Sequence, residues 1–196
     1  IAKIKQSGAD SVITGNWGND MSLLVKAGRE AGLNVDWYTY YAGGLGTPTA
    51  MGETAAGHVK IVAEYHSNVE PNKAAAWDAA YRKQAPKGNP DFYFLRGKIM
   101  FDMLVAAMKK TNSTDPKKVA FAMVGLTVPT WAGDVTMRKS DHQIQQAMFI
   151  VKWETVSKKY PYSQENTGYT FAPIKEFPSY VSSTPTSCQM KRPTEG

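Results

Sequence analysis

The stretch ADSVITGNWGNDMSLLVKAGREAGLNVDWYTYYAGGLG, residues Ala9 to Gly46, decides the fold, because its pattern runs strand, loop, helix, strand, loop. Asp10–Thr14 is a short β-rich run ending at Gly15. Met21, Leu24, Val25 and Gly28 then recur at i, i+3, i+4 and i+7, the spacing of one helical stripe. Asn19 or Asp20 is the expected cap, since its side-chain oxygen can accept from the free amides of the first turn, and Gly32 is the expected stop. Val35–Tyr40 supplies a second β-rich run. Strands joined in this way are expected to be parallel, with a right-handed crossover. The loops that follow them, Asn16–Asn19 and Tyr41–Thr47, therefore open on one edge of one sheet. Ligands of open α/β sheets sit at the carboxyl ends of the strands, so these loops, rich in glycine, amide and aromatic side chains, form the candidate site.

A chain of 196 residues can make one large or two small domains, and 42% hydrophobic residues suffice for a buried core. The 23 Lys and Arg outnumber 17 acids, giving a net charge of +6 and a pI near 9.3. These cations are scattered. The tightest groups, Lys109–Lys110 and Lys117–Lys118, fall short of a basic arm, so nucleic acid is not an expected partner. No run approaches the roughly 18 apolar residues of a membrane span. Ile1–Gly8 reads as the end of a helix with its glycine stop, which raises the expectation of further sequence upstream. Cys188 is the single cysteine. It is either a free thiol or, in an exported protein, a partner for a cysteine outside these residues.

Beyond the opening unit, Pro48–Ala55 reads as a short helix and Gly57–Ala63 as a third strand of alternating character. The alternation of helix and strand breaks over Tyr65–Pro71. A helix over Lys73–Gln84 presents Trp77, Ala80, Tyr81 and Gln84 on one face. From about Phe92 to Lys110, Met100, Met103, Leu104 and Ala107 keep the 3.6 period, with Ile99 and Met108 widening the stripe, which predicts a buried helix. Asp115 is the expected cap and Pro116 the first residue of the next helix, continuing through Lys117–Met123. Val128–Arg138 reads as short extended pieces around a turn at Ala132–Gly133–Asp134, and Ala147–Glu154 as a strand. From Ser157 onward Pro, Ser, Thr and Tyr dominate, a composition expected of a tail that wraps a surface.

Motifs of catalysis are missing. His58, His66 and His142 have no metal-ligand spacing, and no cysteine cluster accompanies them. GGLGTPTAMG lacks the G-x-G-x-x-G register of a dinucleotide loop, and neither a G-x-S-x-G elbow nor a P-loop occurs. No cofactor, metal or catalytic residue is expected. Asn112–Ser113–Thr114 spells a glycosylation triplet, a motif short enough to recur by chance.

Several strings resemble the branched-chain amino-acid type of periplasmic solute-binding protein, the receptors of ABC importers. They are ADSVITGNWGNDMSLLVKAGREAGL, PDFYFLRGKIMFDMLVAAMKKTNSTDPKKVAFAM, GDVTMRKSDHQ followed by FIVKW, and SCQMKRP, in the family's order. The resemblance implies an α/β type I periplasmic-binding fold: two lobes with parallel-rich sheets, joined by a three-strand hinge. This chain would be a partial copy lacking the amino-terminal half. Residues 1–63 would belong to the carboxyl-terminal lobe, 64–143 to the amino-terminal lobe, and 144–196 would return to the first and add the tail. The implied partners are a small organic solute, a membrane permease and the missing half, and the implied location is the periplasm or another extracytoplasmic, membrane-associated place.

Site residues follow from the same resemblance. Trp17 falls where the family places an aromatic ligand contact, with Asn16 and Asp20 beside it, although capping alone accounts for Asp20. Gly43 falls where many members carry an acid for the ligand's amino group. A buried ammonium without a counter-charge is costly. Hence either Asp20 or a residue of the missing half supplies the charge, or the solute is not an α-amino acid. Phe92 matches an aromatic that closes over the solute, or else packs at a helix start. Strand alternation allows only one of Tyr40 and Tyr41 to face the cleft, and Tyr41 is the candidate. Arg96 either anchors a carboxylate or pairs with an acid such as Asp91. The expected function is a non-catalytic receptor for a small amino acid or a related organic acid or amide. A small-molecule enzyme on a doubly wound fold and a ligand-sensing regulator with the same two lobes are the alternatives.

Overall fold

A computed structural model describes residues 1–69, 74–84, 96–130, 133–189, 191, 193 and 194. They form two compact units, Ile1–Phe94 with Phe149–Glu176, and Leu95–Met148 with Phe177–Gly196.

The first unit opens with α1 (Ala2–Ser7), stopped at Gly8, then β1 (Ser11–Ile13), α2 (Gly18–Glu30) and β2 (Asp36–Thr39). A short α3 (Thr47–Met51) continues as a 3-10 turn over Gly52–Ala55 and leads to β3 (Val59–Ala63). After α4 (Ala75–Gln84), the unit resumes with β7 (Met148–Thr155) and β8 (Tyr169–Phe177). Strand order is β1-β2-β3-β7-β8. β1, β2 and β3 run parallel, pairing Val12 with Trp37 and Trp37 with Val59, while β7 is antiparallel to β3. The expected βαβ unit is present.

Helix α2 shows why the stripe matters. Met21 and Val25 are fully buried against Trp37, Ile61 and Val151, and burying each such side chain contributes about 1.5–3 kcal/mol. Gly28 is required by contact: a Cβ there would lie 2.8 Å from Cζ2 of the buried Trp37 ring. The helix ends as the sequence predicted. Gly32 adopts φ 68°, its amide donates to the Arg29 carbonyl, and the Leu33 amide donates to Gly28, which is a Schellman stop. Its beginning differs from expectation. Trp17 occupies the N-cap position without a side-chain cap, and Asn19 and Asp20 lie inside the first turn. Gly18, at φ 54°, starts the helix two residues earlier than capping by Asn19 allows.

The second departure is β8. Its nine residues, YTFAPIKEF, pair beside β7, where the composition suggested a wrapping tail. Pro173 and the charged Lys175–Glu176 disguise the strand, and its edge position tolerates them because one ladder is left open. Phe171 from β8 lies 4.9 Å from the Trp153 ring, and the Trp153 indole N–H donates to the Gly52 carbonyl at 2.7 Å.

The second unit holds α5 (Arg96–Thr111), α6 (Pro116–Ala122) and an antiparallel sheet of β4 (Thr127–Thr130), β5 (Gly133–Met137) and β6 (Ile144–Gln145). Gly133 and Asp134, two of the expected turn residues, lie within β5 and pair with Thr130 and Pro129, while Ala132 lies outside the described residues. Helix α5 buries Ile99, Met103 and Ala107, but Met100 is 55% exposed and is not part of the buried stripe. Asn112 ends this helix at φ 47°, with the Ser113 amide donating to the Met108 carbonyl. Asp115 caps α6 as expected, accepting from the Lys118 amide at 2.9 Å.

Candidate functional site

Because β1 and β2 are parallel, the loops leaving Ile13 and Thr39 share one sheet edge. One threonine hydroxyl joins them, and a second braces the first loop. The buried Thr39 hydroxyl donates to the Asn16 carbonyl at 3.2 Å and accepts from the Tyr41 amide at 3.3 Å. Thr14 accepts from the Asn16 amide at 3.2 Å, and its hydroxyl donates to Asn16 Oδ1. The Thr14 amide also donates to the Tyr38 carbonyl. Asn16 is thus fixed by its backbone and side chain at the point where the two loops meet.

The second loop has its own anchor. The Gly44 amide donates to Tyr41 and the Thr47 amide to Gly44, bending the chain twice. Both oxygens of Glu165, from the segment between β7 and β8, then hold its end: Oε1 accepts from the Gly46 amide at 2.6 Å, and Oε2 from the Thr49 amide at 2.9 Å. A carboxylate on the free amides that begin α3 is a charge-assisted cap. Neither Thr39 nor Glu165 was singled out from sequence, since Thr39 reaches Asn16 across 23 residues and the partners of Glu165 lie more than 110 residues away.

On this frame stand the aromatic side chains. Trp17 is 69% exposed, Tyr40 53% and Tyr41 41%. The two tyrosine rings are 6.2 Å apart and tilted by 54°. Both residues follow the last residue of β2, Thr39, so strand alternation no longer assigns them to opposite faces. Asp20 is exposed on the first turn of α2, and Gly43 is buried within the second loop. Asn16, Trp17, Asp20, Tyr41 and Gly43 accordingly belong to one unit, on the two joined loops and the first turn of α2. Arg96 is exposed at the start of α5 in the other unit, and Phe92 lies outside the described residues. Among the described residues, no group of three or more His, Cys, Asp or Glu side chains is arranged to hold a metal ion, and no helix is long and apolar enough to cross a membrane.

The family model for periplasmic binding proteins matches residues 1–160. The chain belongs to this family. Over 203 aligned residues it is 32% identical to the Leu/Ile/Val-binding protein homolog 4 of Brucella abortus (strain 2308), covering 98% of this chain and 47% of that protein. A leucine-, isoleucine-, valine-, threonine- and alanine-binding protein from Brucella ovis, solved in a closed conformation, superposes with a TM-score of 0.85 at 29% identity, over 98% of this chain and 50% of that one. A solute-binding protein of an ABC transporter from Rhodopseudomonas palustris BisB5, in complex with 3,4-dihydroxybenzoic acid, shares the fold at a TM-score of 0.68 and 19% identity, over 91% of this chain and 47% of that one. The fold is the type I periplasmic-binding-protein fold, and this periplasmic binding protein chain spans about half the length of the relatives it matches.

Proposed function

We propose that the chain is the carboxyl-terminal part of an extracytoplasmic receptor of an ABC importer, which binds a small amino acid or a related organic acid or amide and delivers it to a membrane permease without chemical change. The observation that supports this reading most is the pair of loops joined through Thr39 and carrying Asn16, Trp17 and Tyr41 at the carboxyl edge of a parallel sheet. Ordered loops present a solute with rigid aromatic faces and amide groups, so little entropy is lost on binding.

In this reading residues 1–63 and 144–196 are parts of the carboxyl-terminal lobe and 64–143 part of the amino-terminal lobe. Phe92 and Arg96 act from the opposing lobe, and the rest of the protein completes the cleft. Gly43 offers backbone rather than charge, so an amino-acid solute draws the counter-charge of its ammonium from Asp20 or from the other half, whereas an organic acid or amide has no ammonium to neutralise. Closure is a population shift, sustained only by a solute that contacts both lobes.

Small-angle scattering of the full-length protein tests this with a panel of aliphatic amino acids, aromatic acids and their amides. A saturable decrease in radius of gyration with one class supports the receptor and names its solute. Turnover of any of these compounds, or binding without compaction, contradicts it.

A further inference from the structure

The chain passes between the two units at Met148–Phe149 and again at Glu176–Phe177. Both passages leave from one hairpin. β7 starts at Met148 and β8 ends at Phe177, the two strands are neighbours in the sheet, and the Val156 amide donates to the Gly168 carbonyl where the hairpin turns. In the first unit, strand pairing therefore holds the two connections side by side.

In the second unit, side chains do this instead. One connection comes from β6, which only residues 146 and 147 separate from β7, and the other enters a 3-10 turn at Ser179–Ser182. The Gln145 side-chain amide donates to the Ser183 hydroxyl, which itself donates to the Ser179 carbonyl at 3.1 Å. Arg138 holds the next residue, its Nη1 donating to the Thr184 carbonyl. The guanidinium is fixed in turn. Nε and Nη2 form a two-pronged pair with Asp141, with Nε at 2.8 Å, and Nη2 also donates to Gln143 Oε1 at 2.6 Å. Asp141 further accepts from the Gln143 amide at 3.1 Å and hydrogen-bonds the Thr186 side chain. The side chains of this pair are only 15% and 8% exposed, and a planar fork spread over three residues of one turn and the tail is more rigid than an ordinary surface ion pair.

We propose that Arg138 is a positioning residue: by pinning Thr184 to the β5–β6 turn beside the Gln145–Ser183 bond, it makes the two connections a single braced strap, in which neither loosens without the other. No residue of the joined loops takes part. The use of the strap rests on the receptor reading, in which motion of the units is closure and bracing confines it to bending both connections at once. The bracing itself needs no solute.

Hydrogen–deuterium exchange of the full-length protein, read by mass spectrometry without added solute, tests it in Arg138→Gln and Ser183→Ala beside the wild type. Neither side chain makes a hydrogen bond with residues 146–149, so faster exchange there reports coupling rather than a lost contact. The expected result is a rise of about fivefold or more both in 179–186 and in 146–149, the loss expected for one hydrogen bond, with α2 and α5 exchanging as in the wild type. A faster tail with 146–149 unchanged, or no change in either segment, overturns the proposal. Should Arg138→Gln loosen the whole second unit, Ser183→Ala decides alone, since it removes one hydroxyl and leaves the Arg138–Asp141 pair in place. Faster exchange in both segments of a protein that no solute compacts would count against the receptor and leave the strap standing.

Discussion

At the scale of single residues, two positions make opposite demands. Gly28 is needed for what it lacks. With a Cβ only 2.8 Å from an immobile, 2% exposed indole, Gly28→Ala forces α2 away from the sheet, and overpacking of this kind costs about 1–3 kcal/mol. Chemical denaturation measures the loss, and Trp37→Phe in the same chain should recover part of it. His66 is constrained by charge instead. Its folded pKa, about 4, lies below the unfolded value of 6.5, so the unfolded chain takes up the proton first as pH falls. Its contribution is full above pH 6.5 and is lost progressively between 6.5 and 4, amounting to about 2 kcal/mol by pH 5. His66→Gln should therefore flatten the stability profile between pH 7 and 5, while an unchanged slope would place the titration elsewhere.

At the scale of elements, Glu165 ties the second loop and α3 to the segment between β7 and β8. Glu165→Ala removes three acceptor contacts at once and should lower stability by about 1–2 kcal/mol, with hydrogen exchange rising at the Gly46 and Thr49 amides before it rises in the core. Local contacts of this chain were legible in the sequence, as the Gly32 stop, the Asp115 cap and the Met21–Val25 stripe show. Long-range ones were not. The loops of the candidate site could be placed by topology, but Thr39 and Glu165 bond across 23 and 119 residues, and no local pattern marks such partners. The strand β8 was hidden for a related reason: Pro173, Lys175 and Glu176 read as loop, while the neighbouring strand β7 decides that they are extended. Asn19 and Asp20 misled in the other direction, because good capping residues sit next to Trp17, whose extended backbone at φ −143° already begins the helix.

At the scale of the whole molecule, the first sheet ends at β1, where Ile13 is 85% exposed, and α5 displays Phe101 and Val105 at 61% and 45% exposure. An open parallel edge and an uncovered apolar helix face both favour association with further strands or helices. The relatives are about twice as long as this chain. Residues 1–196 produced alone should therefore self-associate, and these residues within the full-length protein should give a discrete species; analytical ultracentrifugation distinguishes the two, and a stable monomer of these residues alone would contradict the expectation. The central claim is that a small organic solute is held by the joined loops at the carboxyl edge. Native mass spectrometry of the full-length protein, wild type beside Trp17→Ala, tests it most directly. The account predicts that the wild type retains a small organic acid, amide or amino acid, released on denaturation, and that Trp17→Ala retains little of it. Equal retention by both proteins, or a bound nucleotide, flavin or metal instead, would contradict it.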